Sequence, residues 1–350
     1  MIRKILLSLF SIVFLLLVLE VGIRVYGGEY RLKNFLEDYL TLLEFSYSSE
    51  FDQDLGWVPK IGFSGINYRS NTEVNISEDG IRSNGNKKGP DLDADTDLIL
   101  AVGDSYTFGD DVSDWETWPA ILETISNKRV INGGVSAYGL DQSFLRMKSL
   151  MPKYNPDVVI ISFIPNDIRR SELSSRNSKH KPYFEVKNGN LILRKDHIVL
   201  PPEKKLDSFR KTLGYSFLAH NFMMKYFYGY WIHGVRESIK AHSDGSDVAC
   251  LIFEELKGYV VEERIKEAYV LIQYTKSPDA KFTLIKEKLL GCVDQNYLTL
   301  IDLEDYLISL KSNNMNRYNN LYNSKRGHMS PDGNRFVAEV LYENMTNSDN

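Results

Sequence analysis

The chain has 350 residues, of which 43% are hydrophobic and 25% are charged, and its formal net charge is -5. This length and composition are typical of a globular protein with one large domain or two smaller ones. Because acidic residues outnumber basic ones, and the basic residues are scattered among them, the sequence offers no basic face for nucleic acid. We therefore expect no nucleic acid partner.

Residues 1–27 have the pattern of a membrane anchor. Arg3 and Lys4 precede an unbroken apolar run, which continues past Glu20 to a length of about 20 residues, enough for a span. No small-residue cleavage site follows, so the sequence favours an uncleaved anchor over a removed signal peptide. The basic residues before the run keep the N-terminus in the cytoplasm. We expect a single-pass protein whose remaining residues lie outside the cytoplasm, in the periplasm or at the cell surface.

Residues 28–97 predict a stalk followed by an irregular lead-in segment. Leucines and aromatic residues recur at helical spacing over residues 28–50, which predicts a membrane-proximal helix or stalk. Residues 51–97 carry glycines and a proline between short β-like runs, which is typical of hairpins and irregular chain.

Residues 98–346 alternate apolar strands with helices, the pattern of a parallel sheet covered on both faces. The fold class predicted is a three-layer α/β/α domain with a five-stranded parallel sheet, as in flavodoxin-like proteins. Right-handed crossovers predict the strand order 2-1-3-4-5. The predicted strands are residues 98–102, 130–132, 158–164, 269–274 and 297–301.

Several connections of this domain can also be predicted. Thr117 is a plausible helix N-cap with Pro119 in the first turn, and further helices are expected at residues 140–151, 278–290 and 334–345. An insertion occupies about residues 168–264. Within it, Asn188-Gly189-Asn190 predicts a hairpin turn. The aromatic-rich residues 205–235 predict a helix packed over the site or a lid that contacts the substrate.

The sequence contains two cysteines, Cys250 and Cys292. In an oxidising compartment they could pair, and otherwise they are small buried apolar residues. Their separation in the sequence does not distinguish these alternatives.

The stretch LILAVGDSYTFG, residues 98–109, leads a short buried strand directly into Gly103-Asp104-Ser105. Ser105 would lie at the carboxyl edge of the sheet, where open α/β folds keep their sites. A serine in this place is a candidate nucleophile. Gly-Asp-Ser alone is a weak motif, because ordinary turns also contain it.

Three further stretches supply what such a serine requires. VINGGVSAYGLDQ, residues 130–142, is a strand followed by a loop of small residues whose backbone N–H groups can face the serine. VVIISFIPNDI is a strand that brings Asn166 to the same edge. GHMSPDGNRFVAE places His328 just before a helix. Imidazole titrates near neutral pH, so His328 is a candidate general base.

These four stretches, in this order, resemble the SGNH hydrolases, the GDSL-type esterase and acyltransferase family. The resemblance covers about residues 98–167 and 265–345, and the lead-in resembles that of membrane-anchored bacterial members. It implies that Ser105 attacks an ester carbonyl and that His328 is the base. It also implies an oxyanion hole formed by the N–H groups of Ser105 and Ala137 and the side-chain amide of Asn166.

Two positions depart from the family pattern. Ala137 stands where the family has glycine, which keeps the N–H but alters the backbone torsions that are readily accessible. Lys325 stands where the family has an aspartate, and a lysine cannot orient the imidazole as an acceptor. The sequence therefore predicts a Ser–His dyad whose ring is held by a backbone carbonyl or by a distant acid such as Asp302 or Asp305, or else a reduced activity.

The other histidines lack ligand-like spacing, and there is no metal motif and no glycine-rich phosphate loop, so we expect no cofactor and no metal. Asp104 and Asp167 are interpreted as structural turn residues.

The leading hypothesis is serine-dependent hydrolysis or transfer of an acyl ester, an O-acyl group of a glycan or lipid, through an acyl-enzyme on Ser105. The alternative is a catalytically silent SGNH-like domain that binds a glycan or a protein partner. A third hypothesis is a flavodoxin-like binding protein with a bound cofactor.

Overall fold

The computed structural model describes residues 2–37, 49–67, 71–85, 96–176, 179–200, 207–232, 238–241, 243–276, 280–323 and 327–348. The chain forms two compact units. The first, the anchor unit, comprises Met1–Ser46 and Pro201–Ser238, and the second, the sheet unit, comprises Tyr47–Leu200 and Ile239–Asn350.

The strands are β1 Ser49–Asp52, β2 Gly56–Pro59, β3 Ser64–Asn67, β4 Thr72–Asn75, β5 Leu98–Val102, β6 Arg129–Asn132, β7 Val158–Phe163, β8 Leu173–Arg176, β9 Lys179–His180, β10 Tyr183–Lys187, β11 Asn190–Arg194, β12 Ile239–Lys240, β13 Glu267–Ile272 and β14 Thr299–Asp302.

The helices are α1 Ile2–Gly27, α2 Ser105–Phe108, α3 Trp118–Ser126, α4 Leu140–Tyr154, α5 Pro165–Arg170, α6 Ser208–Leu213, α7 Phe217–Tyr226, α8 Tyr228–Trp231, α9 Gly245–Glu262, α10 Ala280–Gly291, α11 Glu304–Asn313, α12 Met315–Asn320 and α13 Pro331–Ser348. A short 3-10 turn, Asp114–Glu116, precedes α3.

The central sheet of the sheet unit is parallel, with the spatial order β14-β13-β7-β5-β6. Counted along the chain this is 2-1-3-4-5, so the predicted topology is confirmed. The strand Leu98–Val102 has its predicted bounds, and the other four differ from prediction by at most two residues at either end. Every residue of β5 and β7 is buried. Their unbroken apolar sequences follow from this burial on both faces.

The predicted helices of the sheet unit are confirmed: α4 and α13 are longer than predicted, and α10 lies at Ala280–Gly291. Thr117 caps α3 because its side chain accepts a hydrogen bond from the Ala120 N–H. The C-terminal helix begins at Pro331 rather than at residue 334, because the Ser330 hydroxyl accepts the Gly333 N–H and so starts the helix one turn earlier.

The lead-in segment contains two antiparallel hairpins, β1–β2 and β3–β4, as its pattern predicted. Residues 28–34 form no helix, so the helical alternative is not seen at the start of the predicted stalk, and the stalk itself stays a prediction. The left-handed backbone of Gly28, with φ of 68°, ends α1 there. Residues 38–48 of the predicted stalk lie outside the described residues.

The insertion contains the predicted hairpin. Strands β10 and β11 pair across Asn188 and Gly189, whose φ angles of 53° and 76° are those of a tight hairpin turn. The aromatic-rich stretch forms α6, α7 and α8, which belong to the anchor unit. Its interpretation as a cover of the site stays a prediction.

The two cysteines form a disulfide. Cys250 lies on α9 and Cys292 follows α10, with their Cα atoms 5.2 Å apart. The bond therefore ties together two consecutive helices of the sheet unit. Such a link is typical of proteins that fold in an oxidising compartment.

Helix α1 is long and apolar enough to cross a membrane over Arg3–Gly27, where its mean hydropathy reaches 2.7 and none of its most apolar window is buried. By length and composition it fits a membrane anchor or a signal sequence.

The guanidinium of Arg82, which is 1% exposed, joins the lead-in to the loop 108–114. It donates to the carbonyl oxygens of Phe108, Gly109 and Val112 at 2.6–2.7 Å. It also pairs with Asp114 at 3.0 Å, and both side chains of this pair are fully buried. We call this set of contacts the Arg82 clamp. It fixes the path of a loop that has no regular hydrogen-bond ladder of its own.

Replacing Arg82 by methionine is expected to lower the free energy of unfolding by about 3–5 kcal/mol, because it leaves Asp114 as an uncompensated buried charge and removes the guanidinium donors from the carbonyls of Phe108, Gly109 and Val112. Urea unfolding of the detergent-solubilised chain measures this loss. Lys153→Met is the matched control, since its pair with Asp79 lies at the surface, where solvent screens it and it adds little to stability. Equal losses in the two variants would contradict the clamp.

Candidate active site

Ser105 lies where β5 ends and α2 begins. The turn requires glycine at position 103, because a Cβ there would collide with Thr107 and with the carbonyl of Ser162. Asp104 caps α2 by accepting the Tyr106 N–H at 2.9 Å. As the first residue of the helix, Ser105 has a backbone N–H without an intrahelical partner. Its side chain is at the carboxyl edge of the sheet, as predicted.

Three side chains form a continuous hydrogen-bonded chain. Ser105 Oγ lies 3.2 Å from His328 Nε2, and His328 Nδ1 lies 2.9 Å from Asp111 Oδ2. With its proton on Nδ1, the imidazole donates to Asp111 and accepts from Ser105. This is the arrangement in which a base can take a serine proton while a buried carboxylate holds the ring.

His328 is oriented from both sides. The Tyr106 ring packs edge-on against the imidazole at 5.4 Å between centroids, and the Tyr106 hydroxyl donates to the Gly327 carbonyl at 2.9 Å. The following helix, α13, is docked by Asn334, whose side-chain oxygen accepts the Trp118 N–H at 3.0 Å. The histidine is therefore placed by the packing of α13 against α3.

Asp111 was not predicted from the sequence. It follows the nucleophile by six residues, and its side chain is 2% exposed. Its φ of 71° is left-handed, a conformation that aspartate adopts more readily than most residues. Gly109, with φ of 84°, turns the chain just before it, and the Arg82 clamp fixes the loop on both sides. The signal that could have indicated it is the pair Asp110-Asp111 close behind the Gly-Asp-Ser stretch.

The structure corrects the predicted dyad. The acid that contacts His328 precedes the histidine by 217 positions, whereas the family pattern directs attention to the position three residues before it. Lys325, which occupies that position, lies outside the described residues. Asp302 pairs instead with Lys286 at 2.6 Å, and Asp305 is exposed. Neither of these acids holds the imidazole.

The charges around His328 favour its protonated form. Burial of the ring lowers the pKa of His328, but the hydrogen bond to Asp111 and the nearby carboxyl groups of Asp110, Asp111 and Asp104 outweigh burial. The pKa of His328 is therefore raised above its usual value. A more basic imidazole is a stronger acceptor for the serine proton, at the cost of being protonated over more of the acidic pH range.

Asn166 reaches the same site from the strand β7. It lies in the first turn of α5, and its Oδ1 accepts a hydrogen bond from Arg169. Its Nδ2 group donates no hydrogen bond to the part of the chain that the structure describes. Asn166 lines a pocket of about 230 Å³ together with Ser105, Tyr106, Ile164, Arg170, Thr275, Lys276, Gly327 and His328. The structure thus brings Ser105, Asn166 and His328 together.

Ala137 lies in the loop beside the site but outside the lining of this pocket. Its φ is 71°, the left-handed region that favours glycine. The loop is held by the Trp57 indole, which donates to the Ser136 carbonyl at 3.0 Å, and by Ser136, whose hydroxyl donates to Asp110 at 2.6 Å. The backbone at position 137 therefore has the glycine-type torsions, although the residue is alanine.

Asp104 and Asp167 flank the partly buried Arg170. Arg170 pairs with both carboxylates and also donates to the Tyr138 carbonyl at 2.9 Å. Burial and the neighbouring Asp104 charge hold the pKa of Asp167 well above its usual range. Asp104 Oδ2 also lies 3.3 Å from Ser105 Oγ, which gives the serine hydroxyl a second acceptor. This group supports the floor of the site, in keeping with the structural role predicted for both acids.

A scan of protein-family models and a search of curated proteins find no match to this chain. Solved structures do match. They include a protein from Desulfitobacterium hafniense assigned to the G-D-S-L lipolytic family, at 14% identity over 70% of this chain and 98% of that one, with a TM-score of 0.38.

A lipase/acylhydrolase from Enterococcus faecalis matches at 12% identity over 72% of this chain and 96% of that one, with a TM-score of 0.41. A family 3 carbohydrate esterase from Clostridium thermocellum matches at 15% identity over 71% of this chain and 94% of that one, with a TM-score of 0.37. Because the sequence identities and TM-scores are low, the chemistry of this site has to be argued from its own geometry.

Across the described ranges, no group of three or more His, Cys, Asp or Glu side chains is arranged to hold a metal ion.

Asp111→Asn is expected to lower the pKa of His328. The variant removes the carboxylate that raises the pKa, and the opposing effect of burial remains. An NMR titration of the chain with labelled histidine measures the shift. Asp110→Asn is the control, since Asp110 acts on the ring without contacting it and its loss should lower the pKa less. An unchanged His328 pKa in Asp111→Asn would refute the hydrogen bond.

Ala137→Gly is expected to raise the free energy of unfolding by about 0.5–1 kcal/mol. It removes the cost of about 1–2 kcal/mol that a Cβ brings to a left-handed backbone, against a smaller entropic cost of glycine. Ala120→Gly, in the first turn of α3 where the backbone is right-handed helical and the side chain is buried, should destabilise the chain by about 1 kcal/mol. Thermal and urea unfolding of both variants test the contrast, and a destabilised Ala137→Gly would count against the strain.

Proposed function

We propose that this protein is a serine esterase or O-acyltransferase that cleaves an acyl ester through an acyl-enzyme on Ser105. The observation that carries the proposal is the chain from Ser105 Oγ through His328 to the buried Asp111 carboxylate. A serine hydroxyl is a weak nucleophile until a base accepts its proton. Here the base lies at hydrogen-bond distance, and its ring is held from behind by an acid.

In the proposed reaction, Ser105 Oγ attacks the ester carbonyl carbon while its proton passes to His328 Nε2. Asp111 stabilises the imidazolium that forms. The tetrahedral intermediate collapses when the C–O bond to the alcohol breaks, and His328 returns the proton to the departing alkoxide oxygen. Water, or the hydroxyl of an acceptor, then attacks the acyl-serine with His328 again as base, and this second collapse frees Ser105.

The negative charge that develops on the carbonyl oxygen in the transition state needs hydrogen-bond donors to stabilise it. The proposed donors are the backbone N–H of Ser105 at the start of α2 and the Nδ2 group of Asn166. One donor of this kind is worth about 3–4 kcal/mol in the transition state. The N–H of Ala137 is proposed as a third donor, as in the resembled family, and its left-handed backbone supports that role.

A second pocket offers space for an apolar acyl group of the substrate. It has a volume of about 130 Å³, shares Thr275 with the site pocket, and is lined by Tyr274, Thr275, Glu304, Leu307, Ile308, Lys311, Tyr318 and Tyr322. Most of its lining is apolar. In the proposal it takes a short acyl chain, while the glycan or lipid alcohol leaves through the open site pocket.

We further propose that α1 is a retained anchor and that the sheet unit lies outside the cytoplasm. The length of α1, the basic residues before it and the Cys250–Cys292 disulfide support this location. An ester on a membrane lipid or a surface glycan would then be within reach.

The rival function is a silent binding domain. Its motivation is the lysine at position 325, which removes the acid that the family pattern places there, together with Ala137, which stands where that pattern has glycine. Because Asp111 occupies the corresponding place behind the imidazole, this motivation loses most of its weight, and we favour the enzyme.

Labelling by a fluorophosphonate probe tests the proposal, because the probe bonds only to an activated serine. We expect labelling of the full-length chain in membranes, none in Ser105→Ala, and wild-type labelling in Ser149→Ala, whose hydroxyl lies on the exposed side of α4. All three proteins should have the same unfolding temperature. Labelling that persists in Ser105→Ala, or is absent from the folded wild-type chain, would sink the enzyme proposal.

A further inference from the structure

The anchor unit is built around one carboxylate on α1. Glu20 accepts hydrogen bonds from the Ser216 hydroxyl at 2.7 Å and from the N–H groups of Phe217 and Leu218 at 2.8 Å. It therefore caps the first turn of α7, which is distant in sequence. Arg24, one turn further along α1, pairs with Glu20 and donates to the Tyr215 carbonyl at 2.6 Å. Removal of α1 as a signal peptide would leave these donors without their partner.

The position of Glu20 along α1 indicates how deep in a bilayer this residue would lie. At a rise of about 1.5 Å per residue, Glu20 lies about 25 Å from Arg3. The hydrocarbon core of a bilayer is about 30 Å thick, so with Arg3 at the inner boundary of the core Glu20 lies about 5 Å inside the outer boundary, and Gly27, about 36 Å from Arg3, lies beyond it. The contacts at Gly27 agree, because the Phe217 ring packs directly against it. The start of α7 lies beside the last two turns of α1.

The helices that follow present aromatic rings to solvent. Phe222, Tyr226 and Phe227 form a cluster with ring centroids 5.0 and 5.9 Å apart, yet each ring is at least half exposed. Tyr230, on α8, is also half exposed. We call these four residues the aromatic cluster. So many exposed rings on two short helices are costly in water, and monomeric soluble proteins rarely carry such a patch without a partner.

This segment carries a small excess of positive charge. Residues 208–232 contain Arg210, Lys211 and Lys225 but no aspartate or glutamate. Arg210 pairs with Asp207, just before the segment, so Lys211 and Lys225 supply the excess. Tyrosine and tryptophan are enriched where hydrocarbon meets headgroups, and basic residues there are attracted to anionic lipids. Aromatic rings and basic side chains thus occur together near the level at which Glu20 would lie in the bilayer.

We propose that α7 and α8 lie in the outer membrane–water interface beside the anchor, with the aromatic cluster inserted among lipid headgroups and upper acyl chains. A lipid surface is the occupant because the cluster continues from α1, which is itself the candidate span, and because its basic residues match anionic headgroups. This inference rests on the proposed retention of α1 and is independent of the esterase chemistry. The segment then serves as a second, interfacial contact of the protein with the membrane.

Depth-dependent fluorescence quenching tests the proposal in the full-length chain, reconstituted in vesicles of phosphatidylethanolamine and phosphatidylglycerol. Cys250 and Cys292 are paired, so a cysteine introduced by Phe227→Cys can be labelled with the dye NBD. Leu284→Cys on α10 of the sheet unit, where the native side chain is 84% exposed, is the matched control. Lipids with a nitroxide near the headgroup and an aqueous quencher are added separately.

We expect the label at position 227 to be quenched several-fold more by the nitroxide lipid than the label at position 284, and several-fold less by the aqueous quencher. Equal behaviour of the two labels would overturn the proposal. Shielding from both quenchers would also overturn it and would indicate that protein covers the cluster.

Two further measurements distinguish a failure of this inference from misfolding of a variant and from a failure of the proposed function. Tyr230→Cys provides a second labelling position should Phe227→Cys fail to fold, as judged by thermal unfolding. All labels are also placed in a Ser105→Ala background. Quenching there must match the wild-type background if the inference holds, and it does so whether or not the chain is an esterase. Absence of fluorophosphonate labelling in the folded wild-type background, with intact lipid quenching, would leave this inference standing while removing the proposed function.

Discussion

The buried guanidinium of Arg82 is the contact on which the geometry of the site depends. It donates hydrogen bonds to three carbonyls of loop 108–114 and pairs with the Asp114 carboxylate. These contacts hold the loop in one conformation, although the loop has no regular backbone hydrogen bonding. That path carries Asp111 from the end of α2 to the back of the His328 ring. A residue of the lead-in, far from the reacting atoms, thereby determines where the acid stands. Burial of such a charge is stabilising only because its donors are nearly all used.

The lead-in segment acts as a support for the site on two sides. Arg82 holds the loop of the acid, while Trp57 holds the loop of Ala137 through the Ser136 carbonyl. The Ser136 hydroxyl then joins the two loops by its bond to Asp110. Residues that precede the α/β domain in sequence are thus part of its site in space. The strained backbone at Ala137 persists because these neighbours fix it.

The sequence was sufficient for the sheet, its order and the positions of Ser105, Asn166 and His328, because each lies directly after a strand or before a helix with a clear local pattern. It was insufficient for Asp111. The placement of that residue depends on two left-handed turns and on the clamp by Arg82, which is remote along the chain. Likewise, the link from Glu20 to α7 is a long-range contact without any periodic signal.

His328 reaches the site by a different route from Ser105 and Asp111. Ser105 and Asp111 share one short segment after β5, whereas His328 arrives only when α13 docks on α3 through Asn334. A chain whose last helix has not yet packed therefore holds the serine and the carboxylate without the imidazole that links them. Under the proposed function such a chain is inactive, so completion of the fold is a precondition for reactivity.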